Sequence, residues 1–246
     1  MEALILAAGY ATRLGALTQD RAKPLLPVGS QPMIDYIFCQ LAEMPEVRRV
    51  SVVTNQKFAA QFADWAAGHG ARVPVSVIND GTTTDQDKLG AIGDVRLVLA
   101  RNCVDDDLLI VAGDNLFDFR LSQFVDFFHG HGTSVGLYDT GNLEIMKQYA
   151  EVQLDSSSRV TSFVEKPAAP QSTLAATCIY LWRREHLPLV DTYDGNLDAP
   201  GHYMQWLTKQ VPVYGFRIPG RWRDIGNPEQ YREACALYGQ AEPSAA

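Results

Sequence analysis

Short apolar runs alternate with longer amphipathic stretches through the first half of the chain. The runs predict five strands, at residues 3–6, 50–54, 75–78, 108–112 and 134–138. Between the first two strands, apolar residues recur every three or four positions and give a predicted helix one apolar face: Ile34, Ile37, Phe38, Leu41 and Met44. Because strands joined through helices pair in parallel, this pattern predicts an α/β fold with a Rossmann-like sheet.

After Gly141 the sequence predicts mainly strands. Four further strands are predicted, at residues 149–154, 160–165, 175–182 and 211–217, with a hairpin turn at residues 155–158. These strands are expected to extend the sheet, making it mixed but mainly parallel and flanked by helices. Residues 228–238 predict a closing helix and residues 240–246 a frayed tail. We therefore expect a single domain over residues 1–239.

Composition and net charge argue against some classes of ligand. Of the 246 residues 46% are hydrophobic and 20% charged, as in ordinary globular proteins. The formal net charge of −8 argues against a nucleic-acid-binding protein, because binding the phosphate backbone requires a surplus of Lys and Arg. An anionic ligand must therefore be held by a local site. The N-terminal residues have no basic segment and too short an apolar run for a signal peptide or membrane span, so we expect a cytoplasmic protein.

The cysteines predict neither a zinc site nor a disulfide framework. No two of them form a C-x-x-C pair, and all lie far apart in the sequence: Cys39, Cys103, Cys178 and Cys235. We expect reduced thiols that are mostly in the core.

A loop of small residues follows the first predicted strand, at residues 6–14 (LAAGYATRL). Small residues let a phosphate approach backbone N–H groups, although such a turn is also common between a strand and a helix without any ligand. A dinucleotide fingerprint would require glycines at positions 9, 11 and 14, and only Gly9 is present. A P-loop would require G-K-[ST] where Leu14 begins L-G-A. Two cations, Arg13 and Lys23, flank the loop.

Residues 6–14, 23–28 (KPLLPV) and 32–34 (PMI) resemble the signature of the sugar-1-phosphate nucleotidyltransferases, the NDP-sugar pyrophosphorylases that include glucose-1-phosphate thymidylyltransferases. The loop of that family commonly reads G-x-G-T-R, and Ala11 stands at its second glycine. The resemblance implies the nucleotide-diphospho-sugar transferase fold, in a short form without a C-terminal β-helix domain. It also implies catalytic roles for Arg13 and Lys23, which would stabilise charge on the departing pyrophosphate, and nucleotide binding by these two residues and by Leu6, Ala8, Gly9, Tyr10, Ala11 and Thr12.

Two aspartates are metal candidates. Asp114, in the G-D-N sequence after the strand at 108–112, lies at the carboxyl edge of the sheet, where open α/β folds bind ligands. Asp224 belongs to residues 222–226 (WRDIG), similar to the W-x-D-x-G motif of the family. The resemblance implies that both bind Mg²⁺. A turn at Asp114 and a helix N-cap at Asp224 are the alternatives that the residues alone leave open.

Three later segments resemble the part of the family that contacts the sugar. Residues 165–167 (EKP) match its E-K-P motif, which implies that Lys166 binds the phosphate of the sugar 1-phosphate as a catalytic residue and that Glu165 binds a sugar hydroxyl. A charged strand end is the alternative. Residues 149–152 (YAEV) and 176–180 (ATCIY) have Ala150 and Cys178 where the family has glycine. The substrate-binding residues expected from these segments are Asn115, Ala150, Glu165, Lys166 and Thr177.

Base recognition is expected from residues 79–84 and 89–94, with Asn79 and Gly90 in contact with the nucleotide. A glutamine common there has no clear counterpart, and Asp85 or Gln86 are candidates to replace it. The base, the sugar and the oligomeric state remain open, a homodimer being one candidate assembly. Two other features are interpreted as structural: a solvent loop at 129–131 (HGH), and core packing by five phenylalanines, Phe117, Phe119, Phe124, Phe127 and Phe128.

The predicted function is Mg²⁺-dependent transfer of a nucleotidyl group from an NTP to a sugar 1-phosphate, in a catalytic domain that spans residues 1–239. An oxygen of the sugar 1-phosphate would attack the α-phosphorus in line, which requires neither a protein nucleophile nor a general base. Family frequency favours dTTP or UTP with a hexose 1-phosphate. The alternatives are a cytidylyltransferase acting on phosphocholine or a phosphonate, and a non-catalytic nucleotide-sugar sensor. Retention of the cations and both aspartates argues against the sensor.

Overall fold

The computed structural model describes residues 1–239, and the tail predicted at 240–246 lies outside the described residues. It contains thirteen strands, at β1 Glu2–Leu6, β2 Pro27–Val28, β3 Gln31–Pro32, β4 Val50–Thr54, β5 Val75–Asn79, β6 Leu108–Ala112, β7 Asn115–Phe117, β8 Ser134–Asp139, β9 Ala150–Leu154, β10 Val160–Glu165, β11 Leu174–Trp182, β12 Tyr214–Arg217 and β13 Trp222–Asp224. Its α-helices are α1 Met33–Glu43, α2 Ala59–Ala67, α3 Ala91–Asn102, α4 Leu121–His131, α5 Leu189–Thr192, α6 Pro200–Leu207 and α7 Pro228–Tyr238.

One nine-stranded sheet organises the molecule. Seven strands follow the order β10-β9-β11-β6-β1-β4-β5, while β8 pairs with β11 and β12 pairs with β8. The strands β6, β1, β4 and β5 are parallel neighbours, whereas β11 is antiparallel to β6 and joins the second half of the chain to the first. The predicted α/β class, with a mixed sheet flanked by helices, is confirmed. Because parallel strands end at one edge, the segments after β1, β5 and β6 meet there.

Both faces of the central strand β1 are buried. Ala3 and Ile5 pack into one core with α1 and α4, and Leu4 packs into a second core with α3 and α6. Each of the three is at most 1% exposed. A strand covered on both faces has no alternation of polar positions, which explains its uninterrupted apolar sequence.

Helix α1 buries the predicted apolar face, including Ile34, Ile37 and Leu41. Met44, predicted as the last apolar position of the helix, is the first residue beyond it and packs partly against the core. Among residues 1–239, no helix is long and apolar enough to cross a membrane.

Strand β12 is shorter than predicted and begins at Tyr214 instead of residue 211. Pro212 has no backbone N–H and cannot donate to a sheet ladder. Val213 is nevertheless 1% exposed, so its apolar character reflects burial outside a strand. Strands β7 and β13 have only three residues each and were not predicted.

The two histidines at 129–131 are exposed, but they lie in the last turn of α4 and not in a loop. The predicted solvent loop is therefore wrong. His129 Nε2 lies 3.1 Å from Glu46 Oε2, and His131 stacks on the Phe127 ring at 4.0 Å. Four of the five phenylalanines are buried, and Phe127 is partly buried.

The cysteines are free, as expected, but the prediction that they are mostly in the core is wrong. Cys103 is exposed because it ends α3 in a left-handed conformation at the surface. Cys39 and Cys235 are partly buried on the sides of α1 and α7, and Cys178 lies in an irregular part of β11.

Candidate active site

The loop after β1 forms the first part of the site. Asn55 is fully buried, and its Nδ2 donates to the Ala8 carbonyl oxygen at 2.9 Å. The Thr18 hydroxyl donates to the Ala11 carbonyl oxygen at 3.0 Å. Within residues 1–239, the backbone N–H groups of residues 8–11 donate to no protein acceptor. A loop fixed through its carbonyl groups, with its N–H groups available, suits a phosphate ligand.

Asp114 follows β6 and lies at the same edge of the sheet as the loop after β1. The Gly113 N–H donates to the Leu6 carbonyl oxygen at 2.9 Å, and a Cβ at Gly113 would lie 3.0 Å from Pro24. This close approach favours glycine. Lys23 is 9% exposed, and its Nζ lies 2.6 Å from Asp114 Oδ2. The structure thus joins two residues that the sequence predicted separately, one as a phosphate contact and one as a metal ligand.

Strand β13 brings Asp224 beside Asp114. It pairs antiparallel with β7 in a register that sets Asp224 opposite Asn115. Burial and the charge of Asp114 raise the pKa of Asp224 to about 6, whereas the charges of Lys23 and Arg13 lower it. Two carboxyl groups and two cations therefore converge on one small region.

The donor set of this region is compatible with magnesium. In residues 1–239, no three His, Cys, Asp or Glu side chains group as metal ligands, which disfavours a closed zinc site. Mg²⁺ prefers one or two carboxylates together with substrate oxygens and water. Asp114 and Asp224 match that preference, and their mutual repulsion would be relieved by a cation.

Two cavities meet at Asp114. The first has a volume of about 190 Å³, and its lining includes Leu6, Gly9, Ala11, Arg13, Lys23 and Asp114. The second has a volume of about 240 Å³, and its lining includes Asp114, Asn115, Ala150, Glu165, Thr177 and Asp224. The first cavity, which contains both cations, lies at residues 6–14, the loop predicted to bind phosphate (the phosphate loop). The second cavity lies where β9 begins and β10 ends. Many of the predicted residues thus fall into two groups that share one aspartate.

Glu165 enters the second cavity from the end of β10. Its side chain is 11% exposed and packs against Gly201 in the first turn of α6. A methyl group added at Gly201 would overlap Glu165 Oε2 and would lie 3.3 Å from the Ala150 Cβ. The absence of a side chain at Gly201 therefore leaves room for the Glu165 carboxylate in this place.

Lys166 follows Glu165 in the chain but does not line the second cavity. Its Nζ is 3.8 Å from Glu165 Oε1, and its side chain is 61% exposed. Its backbone N–H donates to the Tyr149 carbonyl oxygen at 3.1 Å, and its φ is +46°. The hydrogen bond holds this left-handed residue at the exit of β10 and leaves the flexible ammonium exposed.

Two residues that stand at family glycine positions adopt glycine-like backbone conformations. Ala11 has φ of +50° and Cys178 has φ of +57°. Such values cost a non-glycine residue roughly 1 kcal/mol or more. Cys178 lies where the pairing of β11 with β8 shifts register, and it lines the second cavity. Ala11 lines the first cavity and Cys178 the second, so each cavity contains one such residue.

Asn115 and Thr177 line the second cavity with side chains that are already bonded to protein. The Trp222 Nε1 donates to Asn115 Oδ1, and Asn115 Nδ2 donates to the Ala112 carbonyl oxygen at 3.1 Å. The Thr177 hydroxyl donates to the Gly136 carbonyl oxygen at 2.9 Å. These contacts hold the cavity wall in place, so both residues are suited to positioning their neighbours.

The residues predicted to read the base line neither cavity. Asn79 Nδ2 donates to Gln56 Oε1 at 2.7 Å, and its Oδ1 accepts from the Gly81 N–H at 2.9 Å. Gly90 has φ of +79° and packs closely against Asp198, so its glycine identity is explained by packing. Their contact with a nucleotide stays a prediction.

Tyr10 connects the phosphate loop to the loop after β5. Its hydroxyl lies 3.1 Å from Thr82 Oγ1. The first cavity is lined by Gly9 and Ala11 of this loop but not by Ala8, Tyr10 or Thr12.

Sequence reasoning missed several residues of the second cavity: Gln148, Tyr180, Pro200 and Gly201. Pro200 and Gly201 open α6, and a proline followed by an amphipathic stretch is a helix-start signal that could have located this element. Its contact with Glu165, however, depends on the tertiary fold. A larger cavity of about 680 Å³ lies elsewhere, between α3 and the segment around α5, and none of the predicted site residues lines it.

Comparisons with known proteins show the same fold and related sequences. A protein from Sulfolobus acidocaldarius assigned as a mannose-1-phosphate guanyltransferase is 27% identical over 231 residues, which are 94% of this chain and 61% of the relative. A mannose-1-phosphate guanyltransferase from Yarrowia lipolytica is 24% identical over 242 residues, which are 97% of this chain and 64% of the relative. The chain therefore spans less than two thirds of the length of these curated relatives.

A solved structure confirms the predicted fold. A Bacillus anthracis protein assigned as a glucose-1-phosphate thymidylyltransferase superimposes with a TM-score of 0.85 at 20% sequence identity, covering 100% of this chain and 98% of that chain. The match to the family itself extends over almost the whole sequence. Residues 2–241 match the nucleotidyl transferase family, and the chain belongs to that family.

Proposed function

We propose that the chain transfers a nucleotidyl group from a nucleoside triphosphate to a sugar 1-phosphate, forming an NDP-sugar and pyrophosphate. The observation that carries this proposal is the pair of cavities that meet at Asp114. One cavity has the cations and the loop N–H groups that a triphosphate requires, and the other has polar groups suited to a sugar phosphate. The guanyltransferases among its relatives act on a sugar 1-phosphate according to their names, which supports this acceptor class.

At the triphosphate end, the loop N–H groups of residues 8–11, Arg13 and Lys23 would bind phosphate oxygens. Lys23 is held in place by Asp114 before substrate arrives, at 2.6 Å. Preorganised cations stabilise charge that grows on the β- and γ-phosphates as pyrophosphate departs. Their contribution is therefore expected in the transition state more than in NTP binding.

The residues at the junction of the cavities fit a magnesium ion. Asp114 and Asp224 would hold it, and when bound it would neutralise charge on phosphate oxygens. Asp224 is the more dependent of the two on such a cation, because burial and its neighbour Asp114 both disfavour its charged form.

At the acceptor end, Lys166 would bind the phosphate of the sugar 1-phosphate and Glu165 a sugar hydroxyl. An ammonium group on a flexible chain is well suited to a phosphate as a point charge. Glu165 lines the second cavity beside Gly201. Asn115 and Thr177 would keep the cavity wall in register through their bonds within the protein.

The reaction requires no protein nucleophile. A sugar 1-phosphate is already anionic at neutral pH, so its oxygen can attack the α-phosphorus directly, with the α-phosphorus placed near Asp114 and pyrophosphate leaving towards Arg13 and Lys23. Cys178 lines the acceptor cavity, but burial and the charge of Asp114 raise the pKa of its thiol and keep it protonated. The chain's own residues then contribute position and charge.

Pyrophosphate release tests the proposal. The protein is mixed with Mg²⁺, each of ATP, CTP, GTP, UTP and dTTP, and each of several hexose 1-phosphates, with phosphocholine and a phosphonate as further acceptors. We expect release that requires both an NTP and a sugar 1-phosphate. Release with phosphocholine alone would identify a cytidylyltransferase, and NTP or NDP-sugar binding without any release would identify a non-catalytic regulator.

A further inference from the structure

Two carboxyl groups in the segments predicted to read the base each have a buried oxygen. Asp80 directly follows β5, and Asp94 lies in the first turn of α3 with only 6% of its surface exposed. Asp80 Oδ2 and Asp94 Oδ1 are both buried, and neither accepts a hydrogen bond from an N–H or hydroxyl group in residues 1–239. Buried polar atoms without partners are rare in folded proteins, so this pair requires an explanation.

The two side chains are each other's partners. The Asp94 carboxyl lies beside the Asp80 carboxyl, so their two unpartnered oxygens are placed to share a hydrogen bond. Two ionised carboxylates have only acceptors, so such a bond exists only when one of them carries a proton. Burial first, and then the charge of Asp80, raise the pKa of Asp94 to about 8. Asp94 is therefore the protonated member near neutral pH.

The pair continues as a chain of hydrogen bonds to the phosphate loop. Asp80 Oδ1 accepts from the Thr82 N–H at 2.7 Å and from the Thr82 hydroxyl at 2.8 Å. Thr82 is 5% exposed, and its Oγ1 lies 3.1 Å from the Tyr10 hydroxyl. Asp94, Asp80, Thr82 and Tyr10 thus connect the start of α3 to the loop proposed to bind the triphosphate.

The surrounding charges do not neutralise the pair. The carboxylate of Asp198, from the segment before α6, also raises the pKa of Asp94. The nearest lysine is engaged elsewhere, since Lys88 Nζ lies 3.0 Å from Asp198 and 3.4 Å from Asp85. On α3 itself, Arg101 donates to the Asn79 carbonyl oxygen at 3.4 Å instead of to either carboxylate. Among the groups described, no cation pairs with either carboxyl group, so a proton is what offsets their negative charge.

The geometry points to Asp94 as a positioning residue for the nucleotide site: its proton, shared with Asp80, holds Thr82 in contact with Tyr10 of the phosphate loop. This inference deepens the proposed function, since it rests on that loop binding an NTP. Loss of the proton leaves two adjacent buried carboxylates, which repel one another and separate α3 from the end of β5. NTP binding should then weaken while the acceptor cavity, formed by other elements, is unaffected.

Thermal unfolding with pH tests the shared proton without any assumption about activity. Asp94→Asn supplies an amide N–H to Asp80 at every pH. Measured in EDTA, the Tm of this variant relative to wild type should rise by several degrees between pH 5 and pH 8 and level off above. The sign follows because the folded protein holds a proton that the unfolded chain has lost, so wild-type stability falls as pH rises through this window. Asp64→Asn, at an exposed carboxylate of α2, is the control and should show no such trend. A Tm difference independent of pH would overturn the shared proton.

NTP binding tests the positioning role. Titration calorimetry with the NTP that binds wild type at pH 7 should show a severalfold weaker Kd at pH 9. Asp94→Asn should bind equally at both values, and Tyr10→Phe, which breaks the last bond of the chain, should bind more weakly at both. The same alkaline weakening in Asp94→Asn would overturn the role even if the thermal test succeeded. Because these measurements use binding and unfolding only, a failure of nucleotidyl transfer itself would be seen separately in pyrophosphate release.

Discussion

Lys23 Nζ lies 2.6 Å from Asp114 Oδ2 although 91 residues separate them in the chain. Lys23 begins a short 3-10 turn after the phosphate loop, and Asp114 follows β6. Their contact fixes the point where the two cavities meet. In the proposed reaction the same ammonium group would also bind the triphosphate.

Arg13→Ala and Lys23→Ala are expected to lower kcat by more than they raise the KM for NTP. Both cations act on charge that grows at the pyrophosphate oxygens, and an interaction made only in the transition state appears in kcat. A loss of roughly 100-fold is expected for each, as for other preorganised charge-stabilising groups. Steady-state kinetics with varied NTP measures it. Wild-type kcat in either variant would remove that residue from the site.

Lys166→Ala should chiefly impair use of the sugar 1-phosphate. Because the side chain is 61% exposed, solvent screens its charge, and we expect about a tenfold increase in the acceptor KM, or about 1.4 kcal/mol. Lys147→Ala is the control, since Lys147 is an exposed lysine paired with Glu144 at 2.7 Å. An increase confined to the KM for NTP would contradict the assignment.

Gly201→Ala should displace Glu165 and weaken the acceptor alone. The added methyl group overlaps Glu165 Oε2, so the carboxylate must move out of its place in the second cavity. We expect a higher acceptor KM with an unchanged KM for NTP, measured by varying each substrate in turn. Gly130→Ala is the matched control because a Cβ there meets no atom within 4 Å, and it should leave both constants unchanged.

Magnesium should stabilise the protein more at pH 7.5 than at pH 5. Burial and Asp114 raise the pKa of Asp224 to about 6, above the value of about 4 expected in an unfolded chain. In the metal-free protein, stability contributed by this group is therefore present at low pH and is lost as pH rises through about 6. Mg²⁺ competes with that proton, so the rise in Tm on adding Mg²⁺ should grow across this window. An equal rise at both pH values, or the same trend in Asp224→Asn, would count against Asp224 as a ligand.

Many of the strands and helices could be predicted from the sequence because the patterns that indicate them are local. The strands at Val50–Thr54, Leu108–Ala112 and Val160–Glu165 and the helix at Pro228–Tyr238 match their predicted bounds, since each is a bounded apolar run or amphipathic stretch. β12 departed from its prediction because Pro212 cannot continue a ladder.

The contacts that assemble the site were not predictable in the same way. Asp224 reaches Asp114 through two strands of three residues each, too short to show a periodic pattern. The contact of Glu165 with Gly201 joins β10 to α6, which are separated along the chain by another strand and a further helix. The motifs indicated candidate site residues, and the tertiary fold determined which of these candidates lie together.

Transfer of labelled phosphorus tests the central claim most directly. NTP labelled at the α-phosphate, Mg²⁺ and the sugar 1-phosphate found to support pyrophosphate release are incubated with wild type, Asp114→Asn and Asp224→Asn. The wild type should place the label in an NDP-sugar, in equal amount to the pyrophosphate formed. Each variant should lose roughly 100-fold or more of this transfer while circular dichroism shows the fold intact, because an amide keeps the shape of the side chain but removes its charge. Label that stays in nucleotide alone with wild type, or full transfer by Asp224→Asn, would contradict a nucleotidyl transfer assembled around these two carboxylates.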